Sequence, residues 1–175
     1  DVAPSRGLGD VYKRQVYVAV MMSFIYQIRE LQNGGEFVVL LFLAAWGNDT
    51  LAYCTGMLIG KHKMSPILSP KKSIEGLVGG IVGAAILGAL YGLYLNTYIR
   101  FSFNPVTMFP IVCGLSGAVS VIGDLAASAI KRDSGIKDYG TLIPGHGGIL
   151  DRFDSIIFIA PVIYYLTVMI SGGAI

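Results

Sequence analysis

Four long, mostly apolar stretches, near 37–60, 76–98, 105–130 and 153–174, constrain this chain more than any other feature. A helix that crosses a bilayer needs about 20 such residues. In hydrocarbon every backbone polar group must be satisfied within the segment, so each stretch predicts a transmembrane helix. Composition agrees. Of the 175 residues, 54% are hydrophobic and only 14% charged, against roughly 25% charged in soluble domains. Too little polar surface is available to coat the chain in water, which excludes a soluble enzyme, a disordered regulator and a nucleic-acid binder. Cys54 and Cys113 both sit inside apolar runs. Their spacing offers neither a disulfide framework nor a metal knuckle, so both read as small packing residues.

A fifth apolar run, Val16 to Tyr26, is too short to span alone and reads as a partial span. Residues 1–15, DVAPSRGLGDVYKRQ, carry no apolar period and resemble adaptor read-through, so they are set apart from fold reasoning. The remaining 16–175 is expected to be the C-terminal transmembrane portion of a longer protein. Orientation follows from the basic residues. Lys61, Lys63, Lys71 and Lys72 fall in one connection, and Lys131, Arg132, Lys137 and Arg152 in another. The 27–36 and 99–104 connections hold only Arg29 and Arg100. Alternating spans put both basic connections on one side, which is expected to be the cytoplasm. The fold class is therefore all-α, a polytopic transmembrane helix bundle with a cytoplasm-facing polar site.

Within the spans, Gly76/Gly80, Gly79/Gly83 and Gly88/Gly92 are small-xxx-small pairs that let helix backbones approach closely. They fit packing within the chain, and a homodimer interface is the alternative. Charge inside a span is costly and marks either function or a buried pair. Asp49 interrupts AAWGNDTLAY, and Asp124 interrupts VSVIGDLAAS. Ser116, Ser120, Asp124 and Ser128 recur every fourth residue, so they form one polar stripe that cannot face lipid. For Asp49 a cap or a pairing with a neighbouring helix is an equal reading.

Much of the chain's charge gathers in KRDSGIKDYGTLIPGHGGILDRFD, from Lys131 to Asp154. Lys131, Arg132, Lys137 and Arg152 can neutralise phosphate oxygens. In Pro144-Gly145-His146-Gly147-Gly148 the glycines allow successive backbone N–H groups to converge on an anion. Asp151 and Asp154 stand three apart on the entrance to the last helix, so their carboxylates share a face. Hard carboxylate oxygens suit Mg²⁺, which is usually held by one or two carboxylates plus substrate phosphates. Cations, a glycine turn and paired carboxylates at a bilayer surface point to phosphoryl or nucleotidyl chemistry on a lipid. Upstream, Ser69-Pro70-Lys71-Lys72-Ser73 precedes Glu75 and Gly76 on the same side. Ser73 is a candidate N-cap for a helix starting at Ile74. Glu75 can cap that helix or pair with a neighbouring lysine, and Lys71 and Lys72 can bind phosphate or simply attract anionic lipid.

From Ser128 to Asp154 the pattern S-x-x-K-R-x4-K-D-x-G-x2-I-P-x-H-G-G-x2-D-R-x-D resembles the signature of phosphatidate cytidylyltransferases, the CDP-diacylglycerol synthases. The stretches WGNDTLAYCTGMLIGKHKMSP and LSPKKSIEGLVGG are similar to that family too. The resemblance implies transfer of CMP from CTP to phosphatidic acid at a membrane. It implies Mg²⁺, alone or with a second cation, on Asp124 and Asp151, with Asp154 as an auxiliary acidic position. Ser128, Lys131 and Arg132 match the polar-basic stretch expected to contact phosphates. Lys71, Lys72, Lys137, His146, Gly147, Gly148 and Arg152 are expected to bind substrate. A CTP-dependent lipid-alcohol kinase of the dolichol or phytol type is the nearest rival. An ion-coupled transporter using Asp49 and Asp124 is more distant, because it has no need of the cationic glycine loop.

Overall fold

The computed structural model of the chain describes residues 8–65, 69–133 and 150–171. Five helices dominate: α1 (Leu8–Glu30), α2 (Gly34–Ile59), α3 (Ile74–Tyr98), α4 (Pro105–Asp133) and α5 (Leu150–Ile170). Four of them contain segments long and apolar enough to cross a membrane, Gly34–Ile59, Ile74–Tyr98, Pro105–Ala129 and Phe153–Ile170. These coincide with the four apolar stretches. The short run 16–26 lies inside the longer helix α1.

Apart from Asn48 and Asp49 in α2 and the polar stripe on α4, the spans are apolar on every side, so the buried face is chosen largely by shape. In α2 the buried residues Phe37, Leu40, Leu41, Ala44, Ala45 and Asn48 follow the three-and-four spacing of one helical stripe. That stripe meets Ile156, Ile159, Ala160 and Ile163 of α5 together with Phe109 and Cys113 of α4 in a single core. The outer face of α3, with Val78, Val82, Ile86 and Leu90, is exposed and suited to lipid. Asn33, at φ 59°, turns α1 into α2, a left-handed conformation that asparagine tolerates.

The glycines of α3 are used within the chain. A Cβ at Gly80 would lie 2.8 Å from the Asn48 carbonyl oxygen, and one at Gly76 would lie 2.7 Å from that of Ala52. One at Gly88 would lie 2.7 Å from the Phe109 carbonyl oxygen. The first half of α3 therefore packs backbone-close on α2 and the second half on α4.

One element stands outside the all-helical expectation. Strands β1 (Lys63–Ser65) and β2 (Ser69–Ser73) form a short antiparallel pair between α2 and α3. The connection is too charged to enter lipid, and pairing with itself satisfies its backbone. At its base Ser73 caps α3, its Oγ accepting from Gly76 N at 3.1 Å. Glu75 does not pair with Lys72, one of the two lysines the sequence offered. Its carboxylate accepts from the backbone N–H of Lys61 at 3.1 Å and of His62 at 3.2 Å, and meets His62 Nδ1 at 2.6 Å. The loop after α2 presents these N–H groups directly to the first turn of α3, whereas Lys72 is drawn away to a stronger partner.

Candidate active site

The packing of α2, α3 and α4 leaves a cavity of about 550 Å³ at the hairpin end of the bundle. Asn48, Asp49, Ala52, Tyr53, Gly56 and Met57 line it from α2, and Gly76 and Leu77 from α3. Met64, Lys72 and Ser73 close it from the hairpin, with Val121 and Asp124 from α4. Its wall is mainly apolar, and its charge gathers where α2, α4 and α5 meet.

That charge is organised around Ser155 in the first half of α5, which is 2% exposed. Its Oγ lies 2.7 Å from Asp124 Oδ1, 3.0 Å from Asp49 Oδ2 and 3.5 Å from Asp154 Oδ1. A hydroxyl has one proton to donate, so three carboxylates crowd a donor that can satisfy only one of them. Cations answer the surplus. Lys72 pairs through its Nζ with Asp124 Oδ2 across 52 residues of sequence. Lys131 Nζ stands 4.0 Å from Asp154 Oδ2. Asn48 Nδ2 approaches Asp49 Oδ1 at 3.5 Å.

The polar stripe on α4 is buried at Ser116 and Ser120 and half-buried at Asp124 and Ser128. Ser116 and Ser120 are inaccessible to solvent and, with Asn48 Oδ1, have no hydrogen-bond partner among the described residues. Asn48 Oδ1 sits against the glycine faces of both neighbours, 2.8 Å and 3.0 Å from where Cβ atoms at Gly80 and Gly117 would be.

Of the residues expected to carry chemistry, the structure brings together Asp124, Lys72, Lys131 and Asp154. Ser128 lies one turn beyond Asp124 on α4. Arg132 lies in the last turn of α4, Lys71 in β2, and Asp151 and Arg152 in the first turn of α5, but their side chains fall outside the described structure. Lys137, His146, Gly147 and Gly148 lie outside the described residues altogether. Asp49, for which the sequence left a functional role and a cap or helix pairing equally open, joins the cluster. Ser155 was missed, and its signal was slight: a small polar residue directly after Asp154 and before an unbroken apolar run.

The donor set suits a hard divalent cation. Among the described residues no three His, Cys, Asp or Glu side chains form a group able to hold a metal. Mg²⁺ needs fewer, since substrate phosphates and water usually complete its shell. Asp49 and Asp124 present oxygens to one shared hydroxyl, and an ammonium already acts as the cation on Asp124.

The cytidylyltransferase family matches the chain over residues 11–170. The chain belongs to the cytidylyltransferase family. It is 37% identical over 154 residues to the phosphatidate cytidylyltransferase of Staphylococcus saprophyticus, covering 88% of this chain and 56% of that protein. It is 40% identical over 152 residues to the Staphylococcus aureus protein of the same name, covering 87% and 56%. The Staphylococcus epidermidis protein is 37% identical over the same length. The chain thus spans about half the length of the curated relatives it matches. As a cytidylyltransferase-family sequence, it places Asp124, Lys72 and the polar stripe of α4 inside the matched region.

Proposed function

We propose that this chain carries the catalytic portion of a phosphatidate cytidylyltransferase, transferring CMP from CTP to phosphatidic acid to give CDP-diacylglycerol and pyrophosphate. The observation that carries the reading is Asp124 fixed between Ser155 and Lys72 at a cavity that is charged at one end and apolar elsewhere. Such a cavity suits a substrate with a phosphate head and acyl chains. The names of the relatives support the same reaction.

The chemistry asks little of a base, because the lipid phosphate is already an anion. One of its oxygens forms a bond to the α-phosphorus of CTP, while the bond from that phosphorus to the oxygen bridging the β-phosphate breaks. Pyrophosphate leaves with the electron pair. The work lies in positioning two polyanions and neutralising their charge. Asp124 and Asp49, with Asp151 and Asp154 nearby in sequence or space, would hold Mg²⁺. When bound, Mg²⁺ neutralises phosphate oxygens as a Lewis acid, and the carboxylate surplus around Ser155 leaves scope for a second cation. Lys72, Lys131 and Arg132 contribute positive charge to the phosphates, and Ser128, Lys71, Lys137, His146, Gly147, Gly148 and Arg152 contribute binding contacts. The site faces the cytoplasm of the cell membrane, where CTP is available.

The test is CTP-dependent conversion of phosphatidate by the whole protein in detergent with Mg²⁺. Asp124→Asn and Asp151→Asn should each lower turnover by about 100-fold or more, the scale of losing a principal electrostatic group. Near-normal turnover in both would sink the mechanism. CDP formed together with a phosphorylated lipid alcohol would move the assignment to the kinase. Ion flux into liposomes without CTP consumption would move it to a transporter.

A further inference from the structure

The pair between Lys72 and Asp124 joins partners of unequal freedom. Asp124 belongs to the long helix α4, and its Oδ1 is held by Ser155 at 2.7 Å. Its side chain is 16% exposed. Lys72 comes from the hairpin, outside the bundle, on a four-carbon stem whose side chain is 32% exposed and lines the cavity. A lysine ammonium is a compact charge that can reorient by rotating its own stem. The carboxylate is therefore fixed and the ammonium is free to leave without any movement of a helix.

We propose that Lys72 is a tethered counter-ion that occupies Asp124 until a divalent cation displaces it, after which its ammonium turns into the cavity toward a substrate phosphate. This rests on the reading that Asp124 binds the metal. Three carboxylates around one hydroxyl repel one another, and without a cation the cluster of Asp49, Asp124 and Asp154 would be driven apart. Lys72 supplies that cation at Asp124 from within the chain, as Lys131 does beside Asp154. The same charge opposes a metal arriving at Asp124 Oδ2, since the ammonium and the ion compete for one oxygen. A phosphate in the cavity offers the displaced ammonium a second anionic partner. Metal loading and polyanion binding are thereby linked through one side chain, and such linkage is reciprocal.

The measurement is binding of Mn²⁺ alone, followed by its electron paramagnetic resonance signal, to the whole protein in detergent without nucleotide or lipid. Lys72→Met, which removes the competitor, should bind Mn²⁺ about two- to fivefold more tightly than the wild type, the scale of a partly exposed ion pair. Lys72→Arg, which keeps a cation at the site, should stay near wild type. Asp124→Asn should lose the site. If Lys72→Met fails to yield folded protein, Lys72→Gln tests the same point with the same expected direction. Equal or weaker Mn²⁺ binding in the neutral variant, with Asp124→Asn still losing the site, would overturn the exchange and leave the metal reading standing. Unchanged Mn²⁺ binding in Asp124→Asn would overturn both.

Discussion

Ser155 has one proton to give and stands between the carboxylates of two other helices, Asp49 on α2 and Asp124 on α4. Its value is positional: it fixes the distance between two like charges and keeps Asp124 turned so that Oδ2 meets the cavity. Ser155→Ala removes that bridge and leaves a methyl group where three carboxylates converge. Turnover should fall by about tenfold, the scale of a supporting hydrogen bond in a metal site. Ser155→Thr keeps the hydroxyl and should retain more activity than the alanine variant. Steady-state rates at saturating CTP and phosphatidate check this, and wild-type turnover in Ser155→Ala would reduce the serine to packing. At this scale the sequence was only partly legible. Asp49 and Asp124 declared themselves by interrupting apolar runs, and Ser116 and Ser120 by their spacing from Asp124. Ser155 did not, because a single serine in a membrane helix is usually content with its own backbone. That Lys72 meets Asp124 was also not legible, since the two are 52 residues apart and only the close crossing of α3 with α2 and α4 brings them together.

At the scale of elements, α3 works as a spacer whose lack of side chains sets the distance between its neighbours. Asn48, Asp49 and the cavity all depend on how closely α2 lies against α3. Gly88→Leu would drive a side chain into the Phe109 carbonyl oxygen, 2.7 Å from the new Cβ, and into Cys113 Sγ at 2.9 Å. Overpacking of this kind costs about 1–3 kcal/mol or more, so the melting temperature in detergent should fall clearly. Gly35→Ala is the control, because nothing lies within 4 Å of its Cβ, and a helical alanine is favoured over glycine by about 1 kcal/mol. Equal melting temperatures for the two variants would contradict the close crossing. The spans were legible to within about four residues at each end, because bilayer thickness leaves so little choice of length. The hairpin was not. Ser69-Pro70-Lys71-Lys72-Ser73 has no alternation of apolar and polar residues. It becomes a strand because Ser73 and Glu75 clamp its base to α3 and to the loop after α2.

Across the whole molecule, the two basic connections meet at one end, where Lys72 reaches Asp124 and Lys131 approaches Asp154. The opposite end is built from the α1–α2 turn, the 99–104 connection and the close of α5, with Arg100 beside a small cavity of about 140 Å³. Charge asymmetry between two ends of a membrane bundle fixes which end stays in the cytoplasm, so the carboxylate site should open inward. Single cysteines report this directly once Cys54 and Cys113 have been replaced by alanine. Lys63→Cys, exposed on β1, should react with a membrane-impermeant maleimide only in inverted vesicles. Ser102→Cys, exposed at the other end, should react only in right-side-out vesicles. The opposite pattern would put the carboxylate cluster on the side away from cytoplasmic CTP, and no rearrangement within the bundle could then reconcile the site with its proposed nucleotide.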